Sequence, residues 1–229
     1  MSSFAPFDAR LRFKECGLSQ SGAPGISNDN KPEVGSNDLN EGPSMSIFRP
    51  YPVQYVSRWK TKQGEEILVR PIRPEDEPMM VKFHATLSDQ TVYLRYFHME
   101  KLSTRIAHER LVQKCFVEYD REMALVAERT PPDTGQPEII AVGRLTKSKS
   151  DDEAELAVLV SDRYQRHGLG AELVRRLIQV GRDQKLREIV ANILPENYAM
   201  RALADRFGFK MRASDDPTIV VAVLNLSGE

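Results

Sequence analysis

Apolar and polar positions follow two rhythms along this chain, and the places where one gives way to the other predict its elements. Val53 to Lys60 and Glu65 to Arg70 read as the two strands of a hairpin around Lys62-Gln63-Gly64, ended by Pro71 and Pro74. Helical spacing follows over Glu75 to Ser88 and Thr104 to Phe116. Met123 to Glu128 and Glu138 to Leu145 read as strands flanking the Pro131-Pro132-Asp133-Thr134-Gly135 turn, and Ala154 to Val160 as a third. The strongest helix runs from Gly168 to Gln184, where Leu169, Leu173, Val174, Leu177, Ile178 and Gly181 form one apolar stripe. Glu188 to Leu194 is again strand-like. Tyr198 to Phe207 is a helix with Met200, Leu203, Ala204 and Phe207 inward, stopped by Gly208, and Lys210 to Ala213 and Thr218 to Leu224 complete the set. Hairpins followed by a strand–helix–strand crossover predict an α/β fold with a mixed sheet and one parallel pair around the long helix.

Upstream of Phe48 the rhythm is missing. Gly17 to Ser46 is crowded with Gly, Ser, Asn, Asp and Pro, and no aromatic lies between Phe13 and Phe48. Such a segment buries too little apolar surface to offset its ordering entropy. Residues 1–46 are therefore expected to be a disordered extension and 47–229 one folded domain, with Met45 a candidate start of the folded unit. Composition changes little. Charged residues make up 28% and the formal net charge is −1, so no basic field points to nucleic acid or an anionic membrane. The longest apolar run, Ile219 to Leu224, is far short of the roughly 20 residues a membrane helix needs. No basic-then-apolar leader opens the chain, and Cys16 and Cys115 make no disulfide framework, so a reduced, cytoplasmic protein is expected.

Candidate chemistry gathers where a strand runs into the long helix, Leu159-Val160-Ser161-Asp162-Arg163-Tyr164-Gln165-Arg166-His167-Gly168-Leu169-Gly170-Ala171. Glycines allow a tight turn, and the first helical turn offers unpaired N–H donors at the positive end of the dipole. This pattern suits a phosphate or pyrophosphate; it also suits a strand–helix turn with no ligand. It is neither a Walker A loop, lacking Gly-Lys-Ser/Thr, nor a dinucleotide fingerprint, lacking the third glycine.

Gln165-Arg166-His167-Gly168-Leu169-Gly170 resembles the Gln/Arg-x-x-Gly-x-Gly/Ala signature of the GCN5-related N-acetyltransferase (GNAT) family, and the order of elements from Ile67 to Leu224 is similar too. The stretches Pro71 to Pro78, Val92 to Phe97, Tyr119 to Ala127 and Leu194 to Asn197 resemble the acetyltransferase domain of bacterial protein lysine acetyltransferases that act on acyl-CoA synthetases. In many of those the domain follows a large CoA-ligase-like region; only Phe7 to Arg12 faintly resembles its last strand, so regulation by that region is not carried over. The resemblance implies the GNAT fold, with the parallel pair splayed beside the CoA-binding helix, and acetyl-CoA as co-substrate. It implies CoA contacts from Leu159, Val160, Gln165, Arg166, His167, Gly168, Leu169, Gly170, Ala171 and Asn197, with Leu159 and Val160 acting through backbone N–H groups. It also makes Glu155 the general base, although by its setting alone Glu155 reads as a solvated strand residue; Glu122 and Asp120 are reserves. A lysine ammonium, with pKa of about 10.4, must lose its proton before it attacks, and a nearby carboxylate can take it.

Many relatives carry a tyrosine acid on the last helix; here Ala204 stands at that position, and Tyr198 is about a turn and a half away. The acid is left unassigned. Asn197 suits helix capping as well as CoA contact. Cys115 reads as packing, and His84, His98, His108 and His167 lack metal-ligand spacing. Trp59 reads as hairpin packing, and Arg175, Arg176 and Arg182 as a solvated helix face. Three functions follow: acetylation of a protein lysine, such as one on an acyl-CoA synthetase; acetylation of a small amine; or silent acyl-CoA binding.

Overall fold

Alternating apolar side chains build eight strands: β1 Ser57–Lys60, β2 Glu66–Pro71, β3 Glu122–Arg129, β4 Glu138–Lys147, β5 Glu153–Val160, β6 Glu188–Ile193, β7 Lys210–Ala213 and β8 Val220–Asn225. In this computed structural model, which describes residues 50–227, they form one sheet in the order β1-β2-β3-β4-β5-β6-β8-β7. Every pairing is antiparallel except β5 with β6. The helices are α1 Glu77–Ala85, α2 Asp89–Tyr96, α3 Leu102–Arg105, α4 His108–Cys115, α5 Leu169–Asp183 and α6 Tyr198–Arg206. The extension expected over 1–46, including Phe7 to Arg12, lies outside the described residues.

Each sheet face carries its own core. On one, the α5 stripe of Leu169, Leu173, Val174, Leu177 and Ile178, joined by Val180, packs on Ala141, Leu145, Ala154, Leu156 and Ile189. Gly143 lets α5 approach β4 closely, since a Cβ there would lie 2.8 Å from Leu177 Cδ1 and 3.3 Å from Leu173 Cβ. On the other face Met80, Phe83, Val92, Leu111 and Cys115 pack on Ala124, Val126, Val142 and Leu159. Cys115 is indeed a packing residue, and burial pushes its thiol up to about 11.

Four local readings change. Val53–Tyr55 is a 3₁₀ turn, not strand, because Tyr55 turns inward to pack on the α5 core and donate to Asp183 at 3.0 Å. The expected helix over 104–116 breaks between α3 and α4. Buried Arg105 donates to the carbonyls of His84 (2.9 Å) and Glu100 (3.2 Å), which holds the chain in a bend. The helix expected over 75–88 ends at Ala85, and Ser88 instead caps α2 by accepting from the Thr91 N–H. Arg175 and Arg176 both pair with the buried Glu172, and Arg176 also reaches Ser57, so they are not simply solvated.

His84 is buried with no hydrogen-bond partner for Nδ1 among the described residues. Burial, then the charges of Arg105, Arg110 and Arg144, push its imidazole down to about 4. A group with a depressed folded pKa favours the folded state fully above its unfolded pKa near 6.5 and loses that contribution as pH falls through 4. Chemical denaturation should therefore show about 3 kcal/mol of stability lost between pH 6.5 and 4, a slope that His84→Leu flattens. An unchanged slope in the variant would assign the acid sensitivity to other groups.

Candidate active site

β5 and β6 part company early. Their last bridged pair is Glu155 with Val190, yet β5 runs on to Val160 and β6 to Ile193. Beyond Glu155 the edge of β5 that faced β6 is open. The antiparallel ladder decides which groups it shows. Ser161 N–H donates to Ile140 O (2.9 Å) and Ser148 N–H to Glu153 O (2.8 Å), so odd-numbered residues of β5 bond β4 and even-numbered ones point toward the splay. The backbone groups of Val158 and Val160 thus face the opening. Leu159, expected to offer its N–H there, instead directs it to β4, while its side chain is buried in the second core.

The same alternation puts Glu155 on the face covered by α1 to α4. Its side chain is exposed, and Asn192 of β6 approaches its Oε1 at 3.5 Å. Glu122 lies in the same cross-sheet row, two strands away, but its carboxylate is tied to Arg144. Asp120 sits in the turn before β3. Neither reserve matches the place of Glu155 at the mouth of the splay.

The loop after β5 is held open by its own backbone. Arg166 and Gly168 are left-handed, with φ of 63° and 91°. The first helical bond of α5 is Glu172 N–H to Gly168 O at 3.0 Å. The N–H groups of Arg166, His167, Gly168, Leu169, Gly170 and Ala171 find no acceptor among the described residues. Six consecutive donors at the positive end of a 15-residue helix make a cradle for an anion. The Arg166 guanidinium is exposed beside it with no hydrogen-bond partner among the described residues. Leu169 buries its side chain and contributes only its N–H. Trp59 packs against Gly168, where an added Cβ would lie 3.5 Å from the indole. His167 donates from Nδ1 to Gln165 O at 2.9 Å, since a carbonyl only accepts.

Two expected ligand groups are engaged within the protein. Gln165 Nε2 donates to Thr91 Oγ1 (3.0 Å) and Val160 O (3.3 Å). Asn197 caps α6, its Oδ1 accepting from Met200 N–H at 3.1 Å. A latch gave no sequence signal: Asp162 accepts from Ser88 N–H (2.8 Å), Ser88 Oγ (2.6 Å) and Thr91 Oγ1 (2.9 Å). Burial pushes the Asp162 carboxyl up, but these hydrogen bonds outweigh it and hold it below its usual range. Tyr93 of α2 donates to Glu196 before α6 at 3.3 Å. Helix α2 is thus tied to both loops that flank the splay. Ala204 is buried and has no proton to donate, and Tyr198 is exposed beside Arg201, so the acid stays unassigned. Among the described residues no group of three or more His, Cys, Asp or Glu could hold a metal, and no helix is long and apolar enough to cross a membrane.

A splayed parallel pair, an anion cradle at the following helix and a carboxylate at the fork define a CoA-dependent acyltransferase. The acetyltransferase (GNAT) domain model matches residues 66–210, and the chain belongs to that family: it is an N-acetyltransferase. An acetyltransferase of Pseudomonas aeruginosa is 31% identical over 164 residues, covering 71% of this chain and 86% of that one. Acetyltransferase Pat of Mycolicibacterium smegmatis is 28% identical over 164 residues, and the match spans 45% of its length. The GNAT domain of S. lividans PAT superposes with a TM-score of 0.68 at 25% identity, covering 77% of this chain and all of that one. The PaiA N-acetyltransferase of Thermoplasma acidophilum, solved in complex with coenzyme A, shares the fold at 14% identity with a TM-score of 0.55, over 69% of this chain and 98% of that one.

Proposed function

We propose that this enzyme acetylates a lysine of a protein, such as an acyl-CoA synthetase, from acetyl-CoA with Glu155 as general base. The observation that carries the reading is Glu155 itself, an exposed carboxylate at the last bridged pair before the splay. The Pat and PAT relatives support a protein acceptor. The free N–H groups of Arg166 to Ala171 and the Arg166 guanidinium fit the CoA pyrophosphate in number and charge. The open β5 edge at Val158 and Val160 fits the pantetheine arm, whose amides need backbone partners. Bound acetyl-CoA supplies the acetyl thioester. The Val158 and Val160 N–H groups face the opening in which that carbonyl would lie, where donors stabilise developing negative charge. Glu155 takes the proton of the incoming ammonium, directly or through one water. With Glu155 exposed, an extended segment of another protein has access to it.

Thiol release from acetyl-CoA tests the reading, with a purified acyl-CoA synthetase and then a polyamine as acceptor. Release with the synthetase, together with acetyl-lysine on it, is expected. Release with the polyamine alone would make this a small-amine acetyltransferase, and tight binding with no turnover on either would make it a silent CoA-binding module.

A further inference from the structure

Helix α2 carries a cation that no carboxylate pairs with directly among the described residues. Arg95 lies one turn beyond Thr91, on the sheet face that holds Glu155, and its side chain is half-buried. It makes no hydrogen bond or ion pair among the described residues; its one close partner is the neighbouring Tyr96 ring, 5.3 Å from the guanidinium. Burial lowers its proton affinity, Tyr96 and Glu155 oppose this, and Arg144 and Arg110 add to it. The other two arginines are satisfied: Arg144 by Glu122 and the Lys114 carbonyl, Arg110 by Glu100. A half-buried guanidinium with five idle donors is costly unless something pairs with it. The loop that carries the anion cradle meets α2 through Ser88 and Thr91, not through Arg95. What does approach this face, on the proposed reading, is the acceptor.

We propose that Arg95 selects the acceptor: it pairs with a carboxylate side chain flanking the target lysine in the acceptor polypeptide. The planar fork of arginine matches a carboxylate bidentately, whereas an ammonium placed beside Arg95 is repelled. Glu155 and Arg95 then form a dipolar pair on one face, the first receiving the lysine and the second its acidic neighbour. This inference rests on the protein-acceptor reading and adds the sequence that the acceptor must carry.

Two lysine peptides that differ only in a flanking Glu or Gln test it, with the wild type, Arg95→Gln and Arg95→Glu. Peptide affinity is read by fluorescence anisotropy beside thiol release, and acetyl-CoA binding by the emission of Trp59, the sole tryptophan. The wild type should favour the Glu peptide by roughly 10- to 100-fold in KM, the range of a hydrogen bond between charged groups. Arg95→Gln should abolish that preference, and Arg95→Glu should transfer it to a peptide with a flanking Lys, with acetyl-CoA binding kept in both. Equal KM for the two peptides in the wild type, or an equal loss on both in Arg95→Gln, would overturn the assignment. Failure of every peptide beside successful acetylation of a polyamine would instead overturn the protein-acceptor reading beneath it.

Discussion

Glu155→Gln is expected to lower kcat by about 10²- to 10⁴-fold, the usual contribution of a positioned general base, with acetyl-CoA affinity unchanged. The substitution keeps the side chain's size and its contact with Asn192, but an amide cannot take a proton from the ammonium. Binding survives because the cradle from Arg166 to Ala171 lies at the other end of the splay's open edge. The deficit should also shrink as pH rises toward about 10.4, where the acceptor lysine loses its proton without help. A loss that persists undiminished at high pH would point to positioning rather than proton transfer. Wild-type turnover in the variant would remove Glu155 from the chemistry altogether. Glu122 is then no ready substitute, because Arg144 holds its carboxylate in an ion pair two strands away from the splay.

Gly168→Val should weaken acetyl-CoA binding by about 5- to 100-fold, corresponding to the roughly 1–3 kcal/mol of strain a side chain meets at a left-handed position. Gly168 has φ of 91°, which a β-branched residue resists even though its new Cβ would only touch Trp59 at an ordinary 3.5 Å. The backbone relieves that strain by rotating, and rotation redirects the N–H groups on either side of Gly168. Gly170→Ala is the control. Its φ is ordinary, and its methyl would meet Leu203 at 3.5 Å and Val160 at 3.9 Å, normal contact distances. Titration of acetyl-CoA followed by Trp59 emission separates the two. Equal affinities for the Val and Ala variants would mean that the N–H cradle is not what holds the pyrophosphate.

The α5 helix was plain from its stripe, because its apolar residues all face one sheet and its period is a local property. The glycine-bearing junction was plain for the same reason: a left-handed turn and free helix N-terminal donors are written into six adjacent residues. Helix α2 was not. Its interior is weakly patterned, and its end is a left-handed Phe97 rather than a glycine, so neither stop signal nor stripe marks it. The resemblance selected the Val92 to Phe97 stretch without giving it a structure or a role. The two-part break at Arg105 was hidden as well, since the carbonyls that bend the chain there come from elsewhere in the fold.

Within the candidate site the division is sharper still. The chain by itself determined which residue types stand at the junction and that the following helix points its amino end at them. Only the tertiary structure decided that Leu159 turns its N–H to β4 while Val158 and Val160 face the splay, because that parity follows from the register with β4. Only it brought Asp162 to Ser88 and Thr91, and Arg95 to the face of Glu155, across more than fifty residues of chain. Local sequence dictates torsions and amphipathic faces; which groups pair across a sheet depends on how the strands align and which helices cover them, and no short window of residues contains that.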